Sequence, residues 1–179
     1  YRIDHLVGFY RTYVIPSGGG APFFSPDVQV APLAQGQRVM TAFLDAGAAV
    51  VAEDLGVIPD FVRESQRRLG IPGCKVFRWE RDWDLPDQPF RDPETYPPMS
   101  LATTGTHDTE TLAGWWTNAG SDERVALTRL LSASLPDTSF DSAAPWSDSL
   151  RDAILETMYR SSSDELFLPV QDLFGWFQR

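Results

Sequence analysis

The sequence predicts an α/β protein built on parallel strands, and two observations lead to that prediction. Short apolar runs alternate with helix-like runs along the 179 residues, which is typical of βα units. Acidic residues also stand directly beyond several apolar runs, as Glu53-Asp54 and Asp172 do. Functional groups gather at the carboxyl ends of parallel strands. The sequence therefore predicts a functional site at that edge of the sheet.

The first part of the chain contains a loop, two helices and a strand. Residues 14–36 are rich in Pro and Gly and predict a long loop. A helix is expected over 35–46, closed by Gly47 at a position that favours a left-handed residue. The continuous apolar run at 48–52 is typical of a strand buried on both faces. The next helix is expected over 60–69.

The rest of the chain continues the alternation. Three further strands are predicted, at 74–79, 100–104 and 165–170. Helices are predicted from about 108 or 109 through Trp116, over 121–135 with Ser121 as its cap, and over 147–161. The intervening segments 82–98 and 136–147 are predicted to be loops.

The charge balance excludes several classes of partner. The formal net charge is -10, which argues against nucleic acid and against an anionic membrane surface, since both attract a basic face. The single cysteine, Cys74, permits no intramolecular disulfide and gives no sign of an oxidising compartment. The longest apolar stretch falls short of the roughly 18 residues of a membrane helix. We expect a soluble, cytoplasmic protein with a neutral ligand.

Aromatic residues make up 12% of the chain, with six Trp, and suit a sugar ligand. The apolar C–H face of a sugar ring stacks on Trp and Tyr, whose polar edges can hydrogen-bond. No Gly-x-Gly-x-x-Gly run follows a strand, and the chain has only two His and one Cys. We therefore expect no metal, nucleotide or flavin cofactor.

Two segments place carboxylates at predicted strand ends. In Arg2-Ile3-Asp4-His5, Arg2 and Asp4 are two positions apart, so on a strand they share a face. The guanidinium can then hold the carboxylate ionised and direct it. Glu53 follows an apolar strand, a setting that suits a proton-transferring carboxyl group. The alternatives are a structural ion pair for Asp4 and a helix-terminus contact for Glu53.

A third segment runs Thr104-Gly105-Thr106-His107-Asp108-Thr109. The imidazole of His107 can donate a hydrogen bond to a ligand hydroxyl beside Asp108. Alternatively, Asp108 caps the helix that follows. A metal pair is disfavoured because no second His or Cys lies at ligand spacing.

Taken together and in this order, the three segments resemble the 4-α-glucanotransferase (amylomaltase) family of the α-amylase clan. The linking stretches at 73–79 and 168–173 and the Gly-Trp-Trp run at 114–116 also have counterparts in that family. The resemblance covers nearly the whole chain. It implies a (β/α)8 TIM barrel, of which residues 1–179 form a C-terminal part covering strands four to eight, truncated at both ends.

The resemblance also implies a role for each residue. Asp4 is the expected nucleophile, Arg2 orients it, and Glu53 is the acid/base. Asp108 is expected to stabilise the transition state, and His107 to hydrogen-bond the same glucose unit. The implied reaction is transfer of α-1,4-glucan segments between maltooligosaccharides with retention. Retaining enzymes hold the two reacting carboxyl groups about 5–5.5 Å apart, and we expect this separation between Asp4 and Glu53.

Two alternatives share these residues. The same carboxylates serve an α-glucan hydrolase, because access of water decides between hydrolysis and transfer. An isolated half-barrel exposes strand edges and interior side chains. We therefore expect the chain alone to be an inactive glucan-binding fragment, to self-associate, or to depend on the missing N-terminal half of the barrel.

Overall fold

The computed structural model describes residues 1–26 and 30–177. The chain divides into two units, Tyr1–Cys74 and Lys75–Arg179, and each unit has a hydrophobic core of its own. Parallel strand pairs occur in both units. The predicted α/β class with parallel pairing is confirmed.

The first unit alternates short strands with helices. Its elements are β1 (Arg2–Ile3), α1 (Val7–Tyr10), β2 (Thr12–Val14), β3 (Phe23–Ser25), α2 (Val30–Asp45), β4 (Val51–Ala52) and α3 (Asp60–Arg68), followed by β5 (Gly73–Val76) at its end. Strand β4 pairs in parallel with β1, with Ile3 opposite Ala52, and with β5, with Ala52 opposite Gly73. The carboxyl ends of β1 and β4 therefore meet at one edge.

The predicted loop over 14–36 is wrong in part, because it includes the last residue of β2, all of β3 and the beginning of α2. Strands β2 and β3 form an antiparallel pair, with Tyr13 opposite Phe24 and their rings 5.1 Å apart. Helix α2 begins at Val30 rather than 35. Pro32 lies in its first turn, where a missing N–H leaves no intrahelical bond unmade. Residues 27–29 of the predicted loop lie outside the described residues.

The core of the first unit is built where α1 packs on α2. The Tyr10 ring is fully buried, and its hydroxyl donates to Ser65 Oγ at 2.9 Å. Gly36 of α2 faces that ring so closely that a β-carbon at this position would overlap it. The other buried apolar side chains of this core are Ile3, Leu6, Met40, Val50, Ala52, Ile58, Val62 and Ile71.

Helix α3 matches its predicted position because its ends carry clear signals. Asp60 lies in the first turn, and Arg67 and Arg68 lie in the last, as the helix dipole favours. Gly70 adopts a φ of 65° just beyond the end, in the left-handed region that glycine enters without steric cost.

The second unit contains one parallel pair and four helices among its described residues. Two 3-10 turns, Phe77–Trp79 and Pro93–Thr95, precede β6 (Ser100–Thr103), α4 (Leu112–Asn118), α5 (Ser121–Ser134), α6 (Asp148–Tyr159), β7 (Glu165–Phe167) and α7 (Val170–Leu173). Strands β6 and β7 are parallel, with Leu101 opposite Glu165 and Thr103 opposite Phe167.

From β5 onward, several observed boundaries differ from the predicted ones. The strand expected over 74–79 ends at Val76, where the 3-10 turn begins. The strand expected over 165–170 ends at Phe167, and Pro169 then precedes α7. Helix α4 starts at Leu112 rather than near 108, and α5 takes Gly120 rather than Ser121 as its N-cap.

An aromatic cluster organises the core of the second unit. Phe77 and Phe90 stack with centroids 5.7 Å apart, and both meet the Trp115 ring edge-on at 6.3 and 5.9 Å. Such pairs contribute roughly 0.5–1.5 kcal/mol beyond their buried area. Helices α5 and α6 extend this core with Leu127, Leu131, Leu150, Ile154 and Met158.

Replacing Gly36 with alanine is expected to destabilise the protein. Gly→Ala within a helix usually stabilises by about 0.5–1 kcal/mol, but here the added methyl group overlaps the fixed Tyr10 ring. Overpacking of this kind costs about 1–3 kcal/mol, so urea unfolding should show a net loss. Ala34→Gly, on the exposed face of the same helix, is the control. Its stability should fall only by the amount that the lower helix propensity of glycine accounts for. An unchanged or raised stability for Gly36→Ala would contradict this packing.

Candidate active site

The carboxyl ends of β1 and β4 are tied together by backbone hydrogen bonds. The Glu53 N–H donates to the Ile3 carbonyl at 2.8 Å, and the Leu6 N–H donates to the Glu53 carbonyl at 3.0 Å. Asp4 follows β1 and Glu53 follows β4. The two acidic residues therefore leave neighbouring parallel strands at the same edge, as the sequence predicted.

The Arg2 guanidinium contacts both of these carboxylates. Its Nη1 lies 2.5 Å from Asp4 Oδ1, and its Nη2 lies 3.0 Å from Glu53 Oε2. The contact between Arg2 and Asp4 was expected from their spacing, whereas the contact with Glu53 was not. The Asp4 side chain is 64% exposed and the Glu53 side chain only 19%, so the two carboxylates differ in their access to water.

The two carboxylates stabilise the positive charge of Arg2. Burial alone opposes that charge, but Glu53, followed by Asp4, outweighs the effect and raises the pKa of Arg2 above its ordinary value. Arg2 is therefore a permanent cation between two acids. That arrangement lets two negative groups stay close together at the end of a sheet.

His5 adds a second donor to Glu53. Its backbone N–H donates to Glu53 Oε2 at 2.9 Å. The φ of His5 is 48°, a left-handed conformation that is uncommon for side-chain-bearing residues, although histidine enters it more often than most. In this conformation the N–H of His5 points at Glu53. Glu53 Oε2 thus contacts both the His5 N–H and the Arg2 guanidinium.

Asp54, next to Glu53, is held on β5. Its Oδ1 accepts from the Cys74 N–H at 2.9 Å, and its Oδ2 lies 3.3 Å from Arg63 Nη1. A β-carbon on Gly73 would lie only 2.5 Å from Asp54 Oδ2, so glycine at 73 is what allows this close approach. The sequence offered Asp54 only as a neighbour of Glu53. Gly73, the first residue of β5, was the sequence feature that could have indicated the contact of Asp54 with this strand.

The Cys74 thiol lies buried beside this charged cluster. Burial is the main cause that raises its pKa to about 11, and Asp54 and Glu53 raise it further, while Arg2 acts in the opposite direction. A thiol in this state is neutral at physiological pH and a poor nucleophile.

His107 and Asp108 form a second group, in the second unit. His107 Nε2 lies 3.2 Å from Asp108 Oδ2, and the two side chains are 61% and 69% exposed. Thr109 Oγ1 donates to the Thr106 carbonyl at 3.0 Å and accepts from the Thr106 N–H at 2.9 Å. The Asp108 N–H donates to Thr106 Oγ1 at 3.2 Å. The two threonines thus shape the backbone that presents His107 and Asp108.

The alternative that Asp108 caps the following helix is wrong. Helix α4 begins at Leu112, and Thr111 caps it by accepting a hydrogen bond from the Gly114 N–H at 3.2 Å. Asp108 therefore has no capping role in α4. Its exposed carboxylate, beside an imidazole, suits the binding of hydroxyl groups.

Metal-binding clusters and membrane-spanning helices are both absent from the described part of the chain. Within residues 1–26 and 30–177, no three His, Cys, Asp or Glu side chains are grouped so as to hold a metal ion. The helices of these same residues include none with the length and apolar character needed to cross a bilayer.

The sequence profile of the 4-alpha-glucanotransferase family matches residues 1–179. The chain belongs to this family. The 4-alpha-glucanotransferase of Chlamydia pneumoniae is 37% identical over 125 residues, which are 69% of this chain and 23% of that protein. That of Thermus thermophilus is 30% identical over 176 residues, 97% of this chain and 33% of that protein. The chain thus spans about a quarter to a third of the length of these family members.

Solved structures of the family share the fold. Amylomaltase from Streptococcus agalactiae, in complex with acarbose, superposes with a TM-score of 0.69 at 22% identity, covering 98% of this chain and 32% of that one. Amylomaltase from Corynebacterium glutamicum gives a TM-score of 0.65 at 20% identity, covering 95% and 28%. The resemblance seen in the sequence is confirmed at the level of family and fold.

Cys74 is expected to make the stability of the protein fall at alkaline pH. An unfolded thiol ionises near pH 9.0, whereas the folded one has a pKa of about 11. Because the folded-state pKa is the higher one, the stabilisation is complete below pH 9 and is lost as the pH rises through 11. Two pKa units correspond to about 2–3 kcal/mol.

Urea unfolding of the wild type and of Cys74→Ala, between about pH 8 and pH 11, measures this loss. The wild type should lose stability more steeply than the variant in that window, because only the wild type carries the thiol. Other alkaline groups titrate in both proteins and cancel in the comparison. Parallel pH curves would contradict the raised pKa.

Proposed function

We propose that the chain forms part of the catalytic barrel of a retaining 4-α-glucanotransferase, with Asp4, Glu53 and Asp108 as its working carboxylates. In this proposal residues 1–179 supply strands four to eight of a (β/α)8 barrel. The observation that carries the proposal is the Arg2 guanidinium bound to both Asp4 and Glu53 at the ends of adjacent parallel strands. Catalytic groups of such barrels lie at strand ends of this kind.

Asp4 has the properties of a nucleophile. Arg2 forms an ion pair with its carboxylate and fixes its direction, and the side chain is exposed enough to reach a bound sugar. In the first step an Asp4 oxygen forms a bond to the anomeric carbon while the bond from that carbon to the glycosidic oxygen breaks. Glu53 gives its proton to the leaving oxygen, so the departing glucan leaves as an alcohol.

Glu53 has the properties of the group that exchanges the proton. In the covalent intermediate the negative charge of Asp4 is gone, and Arg2 and the His5 N–H then act on Glu53 alone. As an incoming sugar hydroxyl attacks, it gives its proton to the Glu53 carboxylate. Attack of that hydroxyl on the anomeric carbon releases Asp4 and completes the transfer.

Asp108 and His107 are proposed to bind the glucose unit that reacts. Their side chains are exposed and paired, and a carboxylate with an imidazole offers both acceptor and donor to sugar hydroxyls. Hydrogen bonds to these hydroxyls that strengthen as the ring distorts lower the barrier.

The ligand class is supported by a relative. The Streptococcus agalactiae amylomaltase with the same fold was solved in complex with acarbose, which supports a carbohydrate ligand for this chain. Family members are three to four times as long as the matched segment. We therefore propose that strands one to three of the barrel, and with them half of the glucan cleft, come from a further part of the protein. On its own the chain would be inactive or would self-associate.

Maltotriose distinguishes transfer from hydrolysis. A full-length protein that carries this chain should convert maltotriose into a ladder of longer maltooligosaccharides together with glucose, which chromatography resolves. Transfer wins because the incoming sugar hydroxyl outcompetes water in the cleft. Glucose and maltose alone would identify a hydrolase instead, and binding without any product would contradict both enzyme assignments.

Asp4→Asn and Glu53→Gln should both lower transfer from maltotriose by at least roughly 10³-fold, but they should respond differently to an activated donor. Fluoride leaves without protonation, so Glu53→Gln should still form the glycosyl-enzyme from α-maltosyl fluoride. Azide, which needs no base, should then release it as maltosyl azide. Asp4→Asn lacks the attacking carboxylate, so azide can only displace fluoride directly, which gives the β rather than the α anomer of maltosyl azide.

Glu64→Gln is the matched control for these variants. Glu64 is an acid on the outer surface of α3, paired with Arg67 and Arg68, and its loss should leave the transfer rate unchanged. The α anomer of maltosyl azide from Asp4→Asn and the β anomer from Glu53→Gln would reverse the two assignments. Near wild-type transfer by either variant would refute its role.

A further inference from the structure

The loop that carries His107 and Asp108 is held at both of its ends by one buried carboxylate. We propose that Asp172, on α7, is a positioning residue that sets the place of this loop, and through it of Asp108, for glucan transfer. The inference rests on the proposed role of Asp108.

The contacts of Asp172 bracket the loop over 105–111. Asp172 Oδ2 accepts a hydrogen bond from Thr104 Oγ1 at 2.6 Å, and Oδ1 accepts from the Leu112 N–H at 2.8 Å. Thr104 is the residue before the loop, and Leu112 is the first residue of α4 after it. The two oxygens of one carboxylate thus fix the chain where it enters the loop and where it leaves.

Burial makes these contacts strong. Asp172, Thr104 and Leu112 are only 1%, 2% and 1% exposed. A buried carboxylate is costly unless it is hydrogen-bonded, and a hydrogen bond to a charged group contributes about 1.5–3 kcal/mol. The N–H of Leu112 is also one of the donors at a helix start that has no partner within its own helix. Asp172 therefore provides the hydrogen-bond acceptor that the Leu112 N–H lacks within α4.

The interior of the loop is fixed separately. Thr106 and Thr109 hydrogen-bond to each other around His107 and Asp108, so the turn is shaped locally. Thr103 of β6 also bonds to Gly105 at the start of the loop, but the Asp172 carboxylate is the group that joins Thr104 before the loop to Leu112 after it. Loss of Asp172 should therefore shift or loosen the whole turn rather than unfold it.

Such a shift has a predictable effect on activity. Catalytic groups need placement within roughly 0.5 Å, and a misplacement of about 1 Å can cost around 100-fold in rate. Asp172→Ala in the full-length protein should lower kcat for maltotriose transfer about 10- to 100-fold. KM should change less than about threefold, because the groups that bind the rest of the glucan stay in place.

Two further variants separate the contacts. Thr104→Val removes only the bond to Oδ2 and should lower kcat about three- to tenfold. Asp172→Asn should stay within about threefold of the wild type, since its amide oxygen can accept from Leu112 and its amide nitrogen can donate to the Thr104 hydroxyl. Thermal unfolding shows whether Asp172→Ala folds. If it does not fold, the proposal is tested with Thr104→Val instead.

A double-mutant cycle with Asp108→Asn tests the mechanism. If Asp172 acts through Asp108, its loss should cost less than about threefold in kcat once Asp108 is already changed. Amide hydrogen exchange of residues 105–111 should rise in Asp172→Ala and in Thr104→Val, whatever their activity. Asp141→Ala, which alters an exposed turn-forming carboxylate of the same unit, is the control and should change neither measurement.

The outcomes are distinguishable. Equal losses in both backgrounds, or unchanged exchange of 105–111, would overturn the positioning role of Asp172 while leaving the proposed function intact. Wild-type transfer by Asp108→Asn would overturn the role of Asp108, and the inference for Asp172 with it.

Discussion

Two carboxylates at the ends of neighbouring parallel strands repel each other unless a cation stands between them, and Arg2 is that cation. The register of β1 on β4 makes this possible, because Ile3 pairs with Ala52 and the following residues, Asp4 and Glu53, leave at the same level. A slip of one residue would turn one of the acids to the other face of the sheet. Strand pairing, charge pairing and the proposed chemistry therefore depend on one another.

The acidic residues divide into exposed ones and anchored ones. Asp4 and Asp108 are exposed to solvent. Asp54 and Asp172 instead accept hydrogen bonds from backbone N–H groups, and each also contacts a polar side chain. Of the adjacent pair that follows β4, Glu53 contacts Arg2 and Asp54 contacts the Cys74 N–H of the neighbouring strand. Two similar side chains in sequence thus serve two different purposes.

Much of this arrangement could be predicted because its signals are local. The apolar run before Glu53 and the spacing of Arg2 and Asp4 indicated a strand-end site, and the charges at the ends of α3 located that helix. The contacts of Arg2 with Glu53 and of Asp172 with Thr104 could not be predicted. They join residues far apart in sequence, and neither periodicity nor composition reports which distant side chains will meet.

The separation of Asp172 from its partners, 68 positions from Thr104 and 60 from Leu112, also matters while the protein is being made. Chains emerge from the ribosome amino end first. Arg2, Asp4 and Glu53 can make contact once β4 has left the ribosome. The segment that bears Asp108 cannot be fixed by Asp172 until α7 has emerged as well. The two groups of acidic residues thus become fixed at different moments of translation. A nascent chain arrested before α7 would hold every proposed catalytic carboxylate and still lack a settled place for the last of them.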